Sequence, residues 1–190
     1  MASAGRIAAV ITVLAALAAA APFAPGTRFG TVGLDRGYTT AFEPGPHYDH
    51  TPFATLDPYL RTGIGVLPDL AVGAELALLN TLPGGSWYDD VPVLAFGPSA
   101  TFHLLPDADV VRPYLAAGVG ATYGFVWRDV GWRVRLGAGA TLVSWSPVML
   151  GVEAGWYGDW YQEIAWDTAR RVWFRGDTGF FGIRLMALRS

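Results

Sequence analysis

The stretch Trp132-Arg133-Val134-Arg135-Leu136-Gly137-Ala138-Gly139-Ala140-Thr141-Leu142 decides the fold. Trp132, Val134, Leu136, Ala138, Ala140 and Leu142 are all apolar, whereas Arg133, Arg135, Gly137, Gly139 and Thr141 between them are charged, small or polar. A strict period of two is the signature of a β-strand, whose successive side chains point to opposite faces. Strands of about 10 residues are long enough to cross a bilayer when tilted.

The same alternation recurs on either side of this stretch. Leu70, Val72, Ala74, Leu76 and Leu78 oppose Ala71, Gly73, Glu75 and Ala77; Leu94, Phe96, Ala100, Phe102 and Leu104 oppose Ala95, Gly97, Ser99, Thr101 and His103. Leu115, Ala117, Val119, Ala121 and Tyr123 oppose Tyr114, Ala116, Gly118, Gly120 and Thr122. Val148, Leu150, Val152, Ala154 and Trp156 oppose Met149, Gly151, Glu153, Gly155 and Tyr157, and Phe181, Ile183, Leu185 and Ala187 oppose Gly182, Arg184 and Met186. The pattern is weaker in Leu60, Thr62, Ile64, Val66 and weakest from Arg28 to Leu34.

One face of every strand is thus uniformly apolar, and the other mixes glycine and alanine with arginine, glutamate and tyrosine. The mixed face carries too few polar groups to meet bulk water, and its small-and-large alternation suits a narrow barrel interior. The apolar face is then an exterior that lipid solvates. Trp87-Tyr88, Trp127, Trp132, Trp156, Trp160 and Tyr161 lie near strand ends, as an interfacial aromatic girdle requires.

Composition agrees. The 190 residues hold 24 Gly and 13 Pro, spread so that they would repeatedly break long helices. All 13 basic residues are arginine and cysteine is absent, which excludes a Walker-type phosphate loop, a lysine Schiff base, thiol nucleophiles, cysteine zinc sites and disulfides. A net charge of -3 supplies no basic footprint for nucleic acid. At the front, Met1 to Arg6 and the apolar run Ile7 to Ala20, ending in small residues, read as a signal peptide over residues 1–20. The barrel domain is expected over 21–190.

Short breaks at Leu67-Pro68-Asp69, Leu105-Pro106-Asp107 and Trp145-Ser146-Pro147 recur about every 40 residues, one hairpin per repeat. Longer connections fall at Gly37 to Thr55, Thr81 to Asp90, Trp127 to Gly131 and Trp160 to Asp177. The expectation is an all-β, eight-stranded antiparallel up-and-down transmembrane β-barrel, with termini and short turns in the periplasm and long connections outside the cell.

Phe96-Gly97-Pro98-Ser99-Ala100, Arg112-Pro113-Tyr114-Leu115-Ala116-Ala117-Gly118-Val119-Gly120 and Leu136-Gly137-Ala138-Gly139-Ala140 resemble the small outer-membrane β-barrel superfamily that includes OmpA-, OmpX- and OmpW-like proteins. The resemblance is one of pattern over nearly all of residues 21–190. It departs at the end of the last strand, where Leu188-Arg189-Ser190 stands in place of a terminal aromatic. It implies export through the periplasm to the cell outer membrane, insertion by the outer-membrane assembly machinery, and contact with outer-membrane lipid and lipopolysaccharide, as a monomer. The OmpW type further implies uptake of a small apolar solute as the alternative function.

Candidate chemistry is sparse. His47-Tyr48-Asp49-His50 holds metal-ligand types in a Pro-rich loop expected to be solvated. A lipid A-modifying enzyme would need a serine, a histidine and an acid at the membrane rim, for which Ser86, Asp89 or Asp90, and His47 or His50 are the available groups, without a His-x-Ser signature. His103, with Ser99 nearby, is expected as a hydrogen-bonded interior histidine. The glycine pairs Gly118/Gly120 and Gly137/Gly139 are read as making room for neighbouring arginines. The expectation is a non-enzymatic barrel without a cofactor, structural or binding through its loops. Trp166, Arg170, Arg171, Trp173 and Arg175 in the last long loop are the candidate contacts for anionic lipopolysaccharide. Inside, Arg61, Arg112, Arg133, Arg135 and Arg184 face Glu75 and Glu153, with Tyr114 and Tyr157 as further partners. Because arginines outnumber these acids, Asp159 and trapped water are expected to satisfy the surplus in a barrel with no continuous pore.

Overall fold

A computed structural model describes residues 25–43, 53–79, 93–104, 111–124, 130–145, 147–164 and 171–189. They form β1 (Arg28–Glu43), β2 (Phe53–Leu67), β3 (Leu70–Leu79), β4 (Val93–His103), β5 (Arg112–Gly124), β6 (Val130–Trp145), β7 (Val148–Ile164) and β8 (Arg171–Arg189). Each strand pairs with its sequence neighbours, and β8 returns to β1 antiparallel, from Arg28↔Arg189 to Glu43↔Arg175, so the sheet closes into a barrel with no free edge.

Burial confirms the assignment of faces. Leu136, Phe181 and Ile183 are 52%, 56% and 57% exposed, while Arg135, Arg184 and Glu153 are 2%, 2% and 1% exposed. A soluble barrel would invert these values; here the large apolar side chains point outward into lipid and the charges point inward. At the turn end the interior closes with an apolar cluster of Phe29, Ala71, Met149 and Met186, with Leu188 packed against it. Fully burying a side chain of this size contributes about 1.5–3 kcal/mol. Backbone hydrogen bonds tie that end together, from Gly26 N to Gly65 O at 2.9 Å and from Leu188 N to Pro147 O at 2.8 Å. Gly26 adopts φ 92°, a left-handed conformation that favours glycine.

Several strands outrun the sequence pattern. β8 has 19 residues and β7 has 17, against 10 in β3 and 11 in β4. The β7–β8 ladder continues to Ile164↔Arg171, and β1 pairs with β2 up to Thr39↔Phe53. Much of Trp160 to Asp177, and part of Gly37 to Thr55, is therefore strand rather than loop. Alternating hydrophobicity marks a strand only where one face meets lipid; beyond the apolar belt a ladder continues on backbone hydrogen bonds without that constraint. Among the described residues the wall is correspondingly taller at β7, β8 and β1 than at β3 and β4. Residues 1–20, His47 to His50, Ser86 to Asp90, Pro106, Trp127, Trp166 and Arg170 lie outside the described residues.

Candidate functional site

The interior is where the chain places its chemistry. Arg135, at the middle of β6, reaches three other walls. Its Nη2 lies 2.5 Å from Glu153 Oε1 on β7 and 3.5 Å from Asp35 Oδ2 on β1, and its Nη1 donates to Tyr59 OH on β2 at 3.2 Å. Glu75 on β3 stands 3.8 Å from Nη1. Arg184 on β8 meets the same two acids, through Nη1 to Asp35 Oδ1 at 2.5 Å and Nε to Glu153 Oε2 at 3.2 Å. Tyr114 donates to Glu153 at 3.0 Å and Tyr157 to Asp35 at 2.5 Å. Arg61 bridges Glu75 at 3.3 Å and Thr101 at 3.1 Å.

Above this layer, Tyr157 and Phe180 stack with centroids 4.4 Å apart, and the Arg135 guanidinium lies 4.6 Å from the Phe180 ring. Arg133 covers the Tyr157 ring at 4.3 Å and binds Asp159 bidentately, Nε to Oδ1 and Nη2 to Oδ2, both at 2.6 Å. Below it, His103 sits 5.7 Å from the Tyr114 ring at 1% exposure, and Arg112 is buried on the same face of β5 as Tyr114. The cavity left between Tyr59, Glu75, Arg133, Arg135 and Tyr157 has about 10 Å³, room for one water.

Arg61, Glu75, Arg135, Glu153 and Arg184 are joined in this network, Arg133 pairs with Asp159 beside it, and Arg112 is buried on the same interior face, while the acids include two that the sequence reading did not count. Asp35 and Asp57, each 1% exposed and directly opposed across β1 and β2, supply two further carboxylates, and Tyr59 a further hydroxyl. With Glu75, Glu153 and Asp159, five acids stand against Arg61, Arg112, Arg133, Arg135 and Arg184. Asp35 and Asp57 escaped the sequence reading because β1 and the start of β2 alternate poorly. Counting inward from exposed Val32 and Leu34 would have put Asp35 inside.

The interior glycines also have a different role from the one expected. A Cβ on Gly137 would lie 2.6 Å from Glu153 Oε1, and one on Gly118 would strike the Glu75 carboxylate. Gly139 is covered by the Tyr114 ring, and Gly120 packs against the backbone of β4. These glycines seat carboxylates and a phenol; arginine is accommodated at Gly33, beneath Arg184.

Among the described residues no group of His, Cys, Asp and Glu is arranged to hold a metal ion. Of the candidate loop contacts, Arg171, Trp173 and Arg175 belong to β8 rather than to a loop. Arg175 faces outward, where it pairs with Asp177 at 3.1 Å.

No protein-family model matches the chain, and no curated protein matches it in sequence. Among solved structures, Neisserial surface protein A superposes with a TM-score of 0.56 at 13% identity, over 84% of this chain and 97% of that one. This is a small transmembrane β-barrel of the outer-membrane type. The outer membrane protein OprG from Pseudomonas aeruginosa aligns with a TM-score of 0.47 at 9% identity, over 88% of this chain and 98% of that one. The outer membrane protein AlkL aligns with 0.49 at 12%, over 88% and 92%. The closed barrel and its lipid-facing apolar belt set the location of the chain as the outer membrane.

Proposed function

We propose that the chain is a non-enzymatic outer-membrane barrel that acts through its exposed connections, with the barrel as a rigid, sealed scaffold. The observation that supports this most is Arg135, which spans the lumen from β6 to partners on β1, β2 and β7. A guanidinium held by two carboxylates and a phenol occupies the space a solute would need, and pulling it free would leave buried charges unpaired. On this reading the long connections face outside the cell, the barrel is a monomer inserted by the outer-membrane assembly machinery, and its immediate partners are outer-membrane lipid and lipopolysaccharide.

The test is loop replacement. In a deletion strain, the unmodified protein should restore the envelope phenotype. A variant with residues 44–52 and 80–92 replaced by short turns should still give a heat-modifiable, folded barrel yet fail to restore it. Full activity from the shortened barrel would contradict the proposal. Altered sensitivity to hydrophobic solutes that followed the barrel and not the loops would favour small-solute uptake instead, and loss of lipid A modification in the deletion strain would favour an enzyme.

A further inference from the structure

At the turn end of the barrel, two like charges stand opposite each other. Arg28 on β1 and Arg189 on β8 form the first rung of the ladder that closes the sheet, and both are exposed. Phe29 and Leu188, their chain neighbours, pack in the apolar cluster inside, so strand alternation puts both arginines on the outer face. Directly opposed residues of an antiparallel pair have Cβ atoms about 4.5–5.5 Å apart, and like charges there repel. The backbone around the rung is held in place: Leu188 N donates to Pro147 O at 2.8 Å, and Phe29 O accepts from Thr62 Oγ1 at 3.1 Å. Ile64, which faces Arg28 from β2, is apolar, and no ion pair among the described residues involves either arginine.

The next outward-facing rung, towards the middle of the barrel, is made of small residues. Gly30 on β1 pairs with Ala187 on β8 and with Thr62 on β2, and a Cβ on Gly30 would have nothing within 4 Å. One rung further, Val32 and its partners Leu60 and Leu185 are large and project from the wall, 52%, 43% and 46% exposed. A row of threonine, glycine and alanine between two guanidinium groups and a ridge of large apolar side chains makes a shallow trough. Its rim is cationic and its far wall is apolar.

We propose that this trough binds one anionic phospholipid of the periplasmic leaflet, with Arg28 and Arg189 sharing its phosphate and the start of an acyl chain lying on Gly30 and Ala187. Two arginines on one rung are close enough to reach a single phosphate, and the planar guanidinium matches phosphate geometry. The anion turns a repulsive pair into two charge-assisted contacts, at the end of the wall where headgroups lie and a lipid-facing arginine costs least. The open position at Gly30 lets the chain lie against backbone before it meets Val32 and Leu185. The leaflet named here rests on the reading that the short turns face the periplasm.

The test is native mass spectrometry of the full chain in mild detergent after addition of phosphatidylglycerol or of phosphatidylcholine. The unmodified barrel should retain one phosphatidylglycerol, and retain phosphatidylcholine at least about fivefold less. The R28Q/R189Q variant should lose phosphatidylglycerol by a similar factor, whereas R36Q/R175Q, which removes the same charge from elsewhere on the outer face, should keep it. Gly30→Leu, which fills the trough and leaves both cations in place, should lose it too. Heat-modifiable gel mobility verifies that each variant is folded, and a side chain at Gly30 enters open space, so that variant keeps the proposal testable should R28Q/R189Q not fold. Equal retention of phosphatidylglycerol by R28Q/R189Q or by Gly30→Leu, or of phosphatidylcholine by the unmodified barrel, would overturn the site. Displacement of the lipid by an equal concentration of inorganic phosphate would overturn the lipid as its occupant. The measurement is made without a membrane, so its failure is distinct from a failure of the orientation, which proteolysis of intact cells tests.

Discussion

Arg135 on β6 and Asp35 on β1 are one hundred residues apart in the chain and 3.5 Å apart across the barrel. Their contact joins walls that share no backbone ladder, since β6 pairs only with β5 and β7. Backbone hydrogen bonds make this sheet a tube; side chains such as these fill it.

Glu153 accepts from Tyr114 and pairs with both Arg135 and Arg184. Glu153→Gln removes the negative charge between two buried guanidinium groups, so a loss of about 3–5 kcal/mol is expected. Urea titration in lipid vesicles, followed by tryptophan fluorescence, measures it. Glu75→Gln should cost less, because Glu75 lies at longer range, 3.3 and 3.8 Å from its two arginines, and is partly exposed. Equal, negligible losses from both would show that the interior charges are hydrated.

Glycines on the two faces should respond oppositely to a methyl group. Gly137→Ala drives a Cβ onto Glu153, while Gly179→Ala meets nothing within 4 Å. The first should destabilise by about 1–3 kcal/mol through displaced packing. The second should be neutral or slightly stabilising, since alanine loses less backbone freedom than glycine on folding. The same unfolding titration reads both, and a reversed order would contradict the assignment of faces.

Leu76 and Leu136, 41% and 52% exposed, lie on the lipid face. Arginine at either should cost roughly 2–4 kcal/mol near the bilayer midplane and less towards the rims. If folding titrations found these substitutions harmless, the apolar belt would not be in contact with lipid.

What the sequence revealed tracks what lipid enforces. Where a strand crosses the bilayer, as at Trp132 to Leu142, one apolar and one small or charged face can be read directly, and Arg133, Arg135 and Glu153 were found that way. Asp35 was missed because Gly30, Gly33 and Thr31 blur the pattern around it, and Asp57 because Pro58 beside it resembles a loop. The upper parts of β7 and β8 were missed because Tyr161-Gln162-Glu163-Ile164 and Arg171-Val172-Trp173-Phe174 do not alternate between apolar and polar residues. Pairing partners such as Arg184 with Asp35 depend on barrel closure, which brings the first and last strands together, and closure leaves no local mark in the sequence.

The proposed orientation, with the long connections outside the cell, rests on the alternation of short and long connections. Protease added to intact cells should cut within residues 44–52 or 80–92 and spare the turn at Pro68 and Asp69, as mass spectrometry of the fragments would show. Cleavage at Asp69 in intact cells would reverse the barrel in the membrane.

The sealed interior is tested most directly by planar-bilayer recording of the purified, unmodified barrel. The charge network predicts little or no steady conductance, because Arg135, Arg184, Asp35 and Glu153 close the lumen at mid-height and the apolar cluster closes it at the turn end. A large, stable, voltage-independent channel would contradict it.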